Sequence, residues 1–238
     1  MRFIIALVLS LALVVAFAKP LKKYPIPFYL GAVALVGLYF WGVSSGMRGE
    51  AWSVFQQIIH RCALAFLLFS VVMFVGVLNE KSRLRAHLMP IRRQLSIIAC
   101  ILAVGHIAFY TNSYLPHLVN VFSGRIGLSF GLAAFIALLM IALFVTSFLA
   151  VKHRMKAAAW KAAQRLAYPF YLLTYVHLAL LLMPSALSGS QVATVSIIVY
   201  SLVAGAYVVL RTCKALADHV ANAAPIESEA ELELVVAQ

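Results

Sequence analysis

The chain has 238 residues, of which 64% are hydrophobic and only 11% are charged, and its mean hydropathy is +0.99. A soluble domain has about a quarter charged and about half apolar residues, so this composition excludes a soluble globular protein and indicates an integral membrane protein. The net charge of +12 comes from basic residues clustered between apolar segments. These residues are determinants of membrane topology, and we expect no nucleic-acid partner.

Seven apolar segments are predicted to cross the membrane as helices. The fold class is therefore all-α, a polytopic membrane helical bundle. In chain order the segments are Phe3–Ala18, Ile26–Trp41, Ile59–Val77, Leu95–Leu115, Ile126–Ala150, Leu166–Met183 and Val192–Leu210. In the fifth segment, Gly127 and Gly131 form a small-xxx-small step, which predicts close helix packing.

The first segment fits either a cleaved signal peptide or a retained helix, because Ala16-Phe17-Ala18 resembles a cleavage site. Topology favours the retained helix, since cleavage would force the two most basic loops outside. With the N-terminus outside and the C-terminus in the cytoplasm, most of the 19 Lys and Arg residues lie inside. We therefore predict a multi-pass protein of the bacterial inner membrane. The basic residues left outside are Arg2, Arg48, Arg61 and Arg125.

Acidic residues and cysteines exclude several classes of site. No apolar segment contains a carboxylate, because Glu50 and Glu80 lie in loops and the other acids lie from Asp218 onward. A proton- or cation-coupled transporter usually keeps acids at membrane depth, so this class is disfavoured. The three cysteines form no CxxC or CxxCH pattern, which leaves a disulfide framework, a zinc site and a c-type haem unsupported.

Two histidines lie inside apolar helices. His106 is 13 residues beyond Arg93, and His177 is 12 residues beyond Arg165, so each imidazole is roughly 18–20 Å from the basic end of its helix. The predicted topology runs both helices from inside to outside, which puts both imidazoles at one depth. Such residues are costly in a membrane and indicate function, although each imidazole alternatively serves as a neutral hydrogen-bonding group.

Two neutral imidazoles that face each other at one depth can hold a haem iron between them. The small side chains of Ala103 and Ala99 lie on the helix face below His106 and leave room for a flat macrocycle. Leu102 also lies on this face and narrows the row of small side chains, so the row gives only weak support for a haem.

Three stretches of the chain resemble the ferric reductase-like transmembrane domain family. Within it, the chain is most similar to the haem-binding membrane subunits of bacterial periplasmic methionine sulfoxide reductase systems. The resemblance covers about residues 26–211, so the first helix is an addition to a six-helix core. The stretches are Arg92-Arg93-x-Leu95…Gly105-His106…Tyr110, Gly124…Leu143…Thr146-Ser147 and Gln164-Arg165-Leu166-x-Tyr168…His177.

The resemblance implies that His106 and His177 are the axial ligands of an outer haem b. The family's other histidine in the last motif is here Gln164, and the partner region reads Arg92-Arg93. We therefore expect one haem and no inner haem. Arg92, Arg93, Gln164 and Arg165 form a candidate inner site for FMN or a quinone, since arginine suits a phosphate or an anionic ring. The alternative is that these arginines bind no cofactor and only hold their helix ends on the cytoplasmic side of the membrane, as the positive-inside rule describes.

The sequence thus predicts three regions: an N-terminal helix and basic loop (1–25), a haem-binding domain (26–211) and a flexible acidic cytoplasmic tail (212–238). The chain contains no GxGxxG fingerprint, so we expect it not to oxidise NAD(P)H alone. The predicted function is electron transfer from an inner reductase, flavin or quinol to an outer acceptor, with redox partner proteins on both sides. The alternative is a non-redox membrane protein of the same fold, with an assembly or permeation role.

Overall fold

A computed structural model describes residues 11–60, 62–114 and 124–236. Within these ranges the chain folds into helices without strands, which confirms the predicted all-α membrane bundle. The α-helices are α1 (Ala18–Lys23), α2 (Pro25–Ser44), α3 (Glu50–His60), α4 (Ala63–Val77), α5 (Arg83–Leu88), α6 (Arg92–Tyr114), α7 (Gly124–Thr146), α8 (Leu149–Arg154), α9 (Ala157–Arg165), α10 (Ala167–Leu187) and α11 (Gln191–Val236).

In the part of the chain that the structure describes, five helical stretches are long and apolar enough to cross a membrane. The predicted segment Ile59–Val77 appears as the shorter apolar helix α4. Half of the first predicted segment, residues 3–10, lies outside the described residues, and residues 11–16 of the other half are helical. The five stretches are Pro25–Ser44, Arg83–Tyr114, Ile126–Thr146, Ala157–Leu187 and Gln191–Val220.

Helix is the required backbone state in lipid, because each spanning segment has to pair its own N–H and C=O groups. The outward faces remain apolar: Leu138 is 65% exposed in the isolated chain, and Leu202 is 67% exposed. Exposed leucines at these levels suit contact with lipid acyl chains. The chain is therefore embedded in a membrane as a multi-pass protein.

The bundle packs around α4 and α6. Helix α6 contacts α2, α4 and α7, while α10 contacts α4, α7 and α11. At the centre, the ring of Tyr171 stacks on the ring of Phe66, with the two ring centroids 5.6 Å apart. The Tyr171 hydroxyl is 2.8 Å from Ser70 Oγ. Since the Ser70 hydroxyl already donates its hydrogen to the Phe66 carbonyl, Tyr171 is the donor in this bond. This contact joins α4 to α10 with its polar atoms paired.

Helix α3 was not predicted as a separate helix, because residues 50–58 fall in a stretch that the sequence assigned to a loop. Its last two residues, Ile59 and His60, were predicted as the start of the third apolar segment. Its Trp52 packs its ring on Tyr39 of α2 at 6.2 Å and lies against Gly42. The tail is helical, since α11 continues to Val236. Its flexibility and the three predicted regions stay predictions.

Glycine is needed where α2 and α6 meet. A Cβ at Gly105 would lie 2.7 Å from both methyl carbons of Val36, so the two helices approach closely beside His106. Gly131 is different, since a Cβ there would meet nothing within 4 Å. The expected close helix packing at Gly131 is therefore wrong, because this face of α7 points away from the described bundle.

We expect Gly105→Ala to lower the free energy of unfolding by about 1–2 kcal/mol, because the clash with Val36 outweighs the gain in helix propensity. Gly131→Ala is the matched control and should be neutral or stabilising by up to about 1 kcal/mol. Unfolding in mixed micelles at increasing SDS would measure both. Equal stability of the two variants would contradict the close contact at Gly105.

Candidate functional site

His106 of α6 and His177 of α10 line the same cavity, which has a volume of about 320 Å³. This histidine cavity lies between α4, α6, α7, α10 and α11. Its volume is within the range of about 300–1,000 Å³ that is usual for ligand pockets. The structure thus brings together the two histidines that the sequence singled out, although they are 71 positions apart in the chain.

The α6 wall of the histidine cavity consists of Ala103, His106, Ile107 and Tyr110. These positions share one face, as residues three and four apart do on a helix. The His106 and Tyr110 rings are 4.7 Å apart and tilted by 57°. Ala99, the second small residue expected beside the macrocycle, is fully buried but does not line the cavity.

His177 is held by a hydrogen bond from a third helix. Its Nδ1 is 3.1 Å from the Ser129 Oγ of α7, and Ser129 is only 3% exposed. If Nδ1–H donates to this hydroxyl, Nε2 keeps its lone pair and is the nitrogen available to a metal. An orienting partner of this kind is usual for a metal-binding histidine.

The walls of the histidine cavity suit a flat apolar group with a metal at its centre. Ala103, Ala133 and Ala137 are small, and Phe66, Phe69 and Phe170 offer aromatic surface. Over the residues that the structure describes, no group of three or more His, Cys, Asp or Glu side chains is placed to hold a bare metal ion. Two imidazoles match a metal whose remaining ligands come from a macrocycle, so the donor set fits haem.

A second cavity, of about 440 Å³, brings Arg92, Arg93 and Gln164 together. Lys152 also lines this cavity, and we call it the basic cavity because three cationic side chains face it. The Nζ of Lys152 lies 4.8 Å from the centre of the ring of Trp160, another lining residue. Arg165, which the sequence grouped with these residues, is not among the described lining residues.

Thr146 organises one wall of the basic cavity. Its hydroxyl donates to the Ala142 carbonyl at 2.8 Å and accepts a hydrogen bond from Gln164 Nε2 at 2.9 Å. The Thr146 carbonyl accepts a hydrogen bond from Trp160 Nε1 at 3.1 Å. These contacts fix α9 against the end of α7, so the Gln164 side chain has a set position in the wall.

Only a thin layer of side chains divides the two cavities. Phe69, Met140 and Phe170 line both of them. The Phe69 and Phe170 rings meet edge to face with centroids 4.9 Å apart. A group in the basic cavity would therefore lie one side-chain layer from a group in the histidine cavity.

Sequence reasoning missed several residues of both cavities. Ser129 gave a signal, since it is an isolated hydroxyl in an apolar helix. Lys152 and Trp160 looked like interfacial residues of a basic loop, and only the fold places them beside Arg92. Met140 gave no signal, because it is one apolar residue among many in α7.

Residues 61–175 match the family of the ferric reductase like transmembrane component. The match includes His106 and ends just before His177. The chain is also 37% identical, over 224 residues, to an uncharacterized protein of Treponema pallidum (strain Nichols). The alignment covers 91% of this chain and 61% of that relative, so the chain spans less than two thirds of its length.

Thr146→Val should lower the free energy of unfolding by about 1–2 kcal/mol, because it leaves the Gln164 amide without its acceptor. Thr146→Ser keeps the hydroxyl and should stay close to the parent protein. Unfolding in mixed micelles, followed by tryptophan fluorescence in a background where Trp160 is the remaining tryptophan, would compare them. If the valine variant were as stable as the serine variant, the Gln164 contact would carry no energy.

Proposed function

We propose that this ferric reductase-like transmembrane domain binds one haem b and carries electrons across the membrane. The observation that supports it best is that His106 and His177, from separate helices, line one cavity. Ser129 leaves one nitrogen of His177 available, and the small and aromatic walls suit a macrocycle. The chemistry that a bound haem supplies is a one-electron change at iron.

The protein's own residues determine how that iron behaves. His106 and His177 would together hold the group, and a haem held by two imidazoles would supply electron transfer and not oxygen binding. The Ser129 contact orients the His177 ring, and burial among apolar side chains keeps water away from the site. These features set the reduction potential, whereas partner proteins provide the donor and the acceptor.

The direction of transfer follows from the predicted topology. Electrons enter on the cytoplasmic side, where Arg92, Arg93 and Gln164 line the basic cavity, and leave from the outer leaflet to a periplasmic acceptor. The donor is a reductase, a flavin such as FMN, or a quinol. A periplasmic methionine sulfoxide reductase is one candidate acceptor, as the sequence resemblance implies, and ferric ion is another.

His106→Ala and His177→Ala should each abolish the low-spin b-type signal in reduced-minus-oxidised spectra of the purified protein. The parent should contain about one haem per chain, because His106 and His177 form one site and both imidazoles would be needed to hold the iron. His153→Ala is the control, since this exposed residue of α8 is not among the described lining residues of either cavity.

Added imidazole should restore a low-spin spectrum in His177→Gly, which separates loss of a ligand from misfolding. Absence of haem in the parent, even when haem is supplied during expression, would contradict the proposal. That result would favour the alternative of a non-redox membrane protein with an assembly or permeation role.

Ser129→Ala should weaken haem retention by about tenfold and shift the midpoint potential, because the His177 ring loses its orienting partner. Ser129→Thr keeps a hydroxyl and should stay near the parent. Haem content after dialysis and a redox titration monitored by absorbance would measure both effects. Identical potentials in all three proteins would rule out a role for this hydrogen bond.

A further inference from the structure

Two arginines and two tyrosines lie together where α11 passes the first residues of α6 and α10. The Arg211 guanidinium of α11 lies over the Tyr168 ring of α10, 4.8 Å from its centre. Arg92 of α6 interacts electrostatically with Tyr168 and with Tyr207 of α11, and Tyr207 also interacts with Arg211. We call these four residues the Arg–Tyr cluster. Of the four, only Arg92 is a described lining residue of the basic cavity, so the cluster extends beyond that site.

Packing holds the Arg–Tyr cluster in place. Tyr207 is buried, and its ring meets the rings of Phe74 and Tyr171 edge to face, with centroids 5.7 and 5.1 Å apart. A Cβ at Gly76 would lie 3.8 Å from Nη2 of Arg92, so this guanidinium lies beside the end of α4. Four helices, α4, α6, α10 and α11, therefore determine where the cations of the cluster lie.

No carboxylate among the described side chains pairs with the two arginines of the cluster. On this side of the bundle, Glu80 pairs with Arg85 at 3.0 Å, and Asp218 pairs with Lys214 at 3.5 Å. The next acid in the sequence, Glu227, is nine residues beyond Asp218 and thus about 14 Å farther along α11. A partly buried cation without a counter-charge is costly at a membrane, so an anion from outside the chain would stabilise the cluster.

The side chains of the cluster determine which anion fits. A guanidinium presents its N–H donors in a planar fork, which matches two oxygens of one phosphate group. The tyrosine hydroxyls are further donors. The cluster therefore suits a phosphate group that carries a net negative charge.

Apolar side chains lie next to the Arg–Tyr cluster, toward the interior of the membrane. Leu172 is one turn beyond Tyr168 on α10, and Val208 is one turn before Arg211 on α11. Residues at these spacings share a face of their helix, and both apolar side chains are exposed in the isolated chain. A ligand on this surface would meet cations at its head and hydrocarbon below it. Basic sites between membrane helices commonly bind anionic lipid headgroups.

We propose that the Arg–Tyr cluster binds the phosphate of one anionic phospholipid, whose acyl chains lie along Leu172 and Val208. The lipid supplies the negative charge that the described side chains do not place beside Arg92 and Arg211. It also ties α10 and α11 to the start of α6. A soluble phosphate compound has the same head chemistry without acyl chains, and the test below separates these two sources.

The test counts lipid bound to the full chain by native mass spectrometry, after the protein is purified in detergent and depleted of lipid. The probes are palmitoyl-oleoyl phosphatidylglycerol and phosphatidylcholine with the same acyl chains. The parent should bind about one phosphatidylglycerol per chain and prefer it to phosphatidylcholine, whose ammonium group cancels the charge of the phosphate. Arg211→Gln should weaken phosphatidylglycerol binding by about tenfold, because one charge-assisted contact is lost. Arg211→Lys keeps the charge without the planar fork and should bind with intermediate affinity.

Arg154→Gln is the matched control, because it removes one positive charge from an exposed arginine of α8 that is not part of the cluster. It should bind phosphatidylglycerol as the parent does. Far-UV circular dichroism on the same samples checks that each variant keeps its helices. Arg211 is partly exposed, so its substitution leaves the packed base of the cluster intact.

Three results would overturn the lipid site: equal affinity for the two lipids, equal losses in Arg154→Gln and Arg211→Gln, or displacement of phosphatidylglycerol by an equal concentration of inorganic phosphate. The second would indicate general attraction of a basic protein to an acidic lipid, and the third a site for a soluble phosphate compound. The supporting result is a preference for phosphatidylglycerol that Arg211→Gln removes, Arg211→Lys keeps in part and Arg154→Gln leaves unchanged.

Discussion

The need to pair every polar group inside a membrane shapes this protein more than any single contact does. The backbone meets this need within its helices. Polar side chains meet it between helices: Tyr171 with Ser70, His177 with Ser129, and Gln164 with Thr146. Each of these bonds joins two different helices, so they fix the positions of α4, α7, α9 and α10. Together with α6, these helices form most of the walls of the histidine cavity and the basic cavity.

The arrangement of charge follows a related rule. Arg92, Arg93 and Lys152 line the basic cavity, and the sequence has no acid between Glu80 and Asp218. The histidine cavity is instead lined by the imidazoles of His106 and His177. A neutral imidazole is tolerated at membrane depth where a carboxylate is expensive. The chain therefore keeps the histidine cavity apart from the basic cavity, with Phe69 and Phe170 between them.

Much of this organisation is readable in the sequence. Hydropathy predicted the bundle and most of its spans, and the sequence singled out the two histidines, His106 and His177, that line one cavity. Their shared depth in the membrane stays a prediction. Helix α3 was missed because it is short and its apolar residues follow one face only. Contacts across distant segments were also missed: nothing local to Lys152 or Trp160 indicates that they lie beside Arg92. The expected packing role of Gly131 failed because a small-residue spacing does not say which way a helix face points.

Met140 is 5% exposed and lines three cavities: the histidine cavity, the basic cavity and an apolar cavity between α2, α6 and α7. Its unbranched side chain adapts its shape to its surroundings, as methionine commonly does in packed interiors. If a substitution or a ligand changes the shape of one cavity and moves the Met140 side chain, the shapes of the other two cavities change with it. Substitutions in separate cavities would then combine non-additively, even where their own side chains never touch. Met140 is thus the side chain through which the three spaces would be coupled, and we expect a shorter residue at position 140 to weaken that coupling.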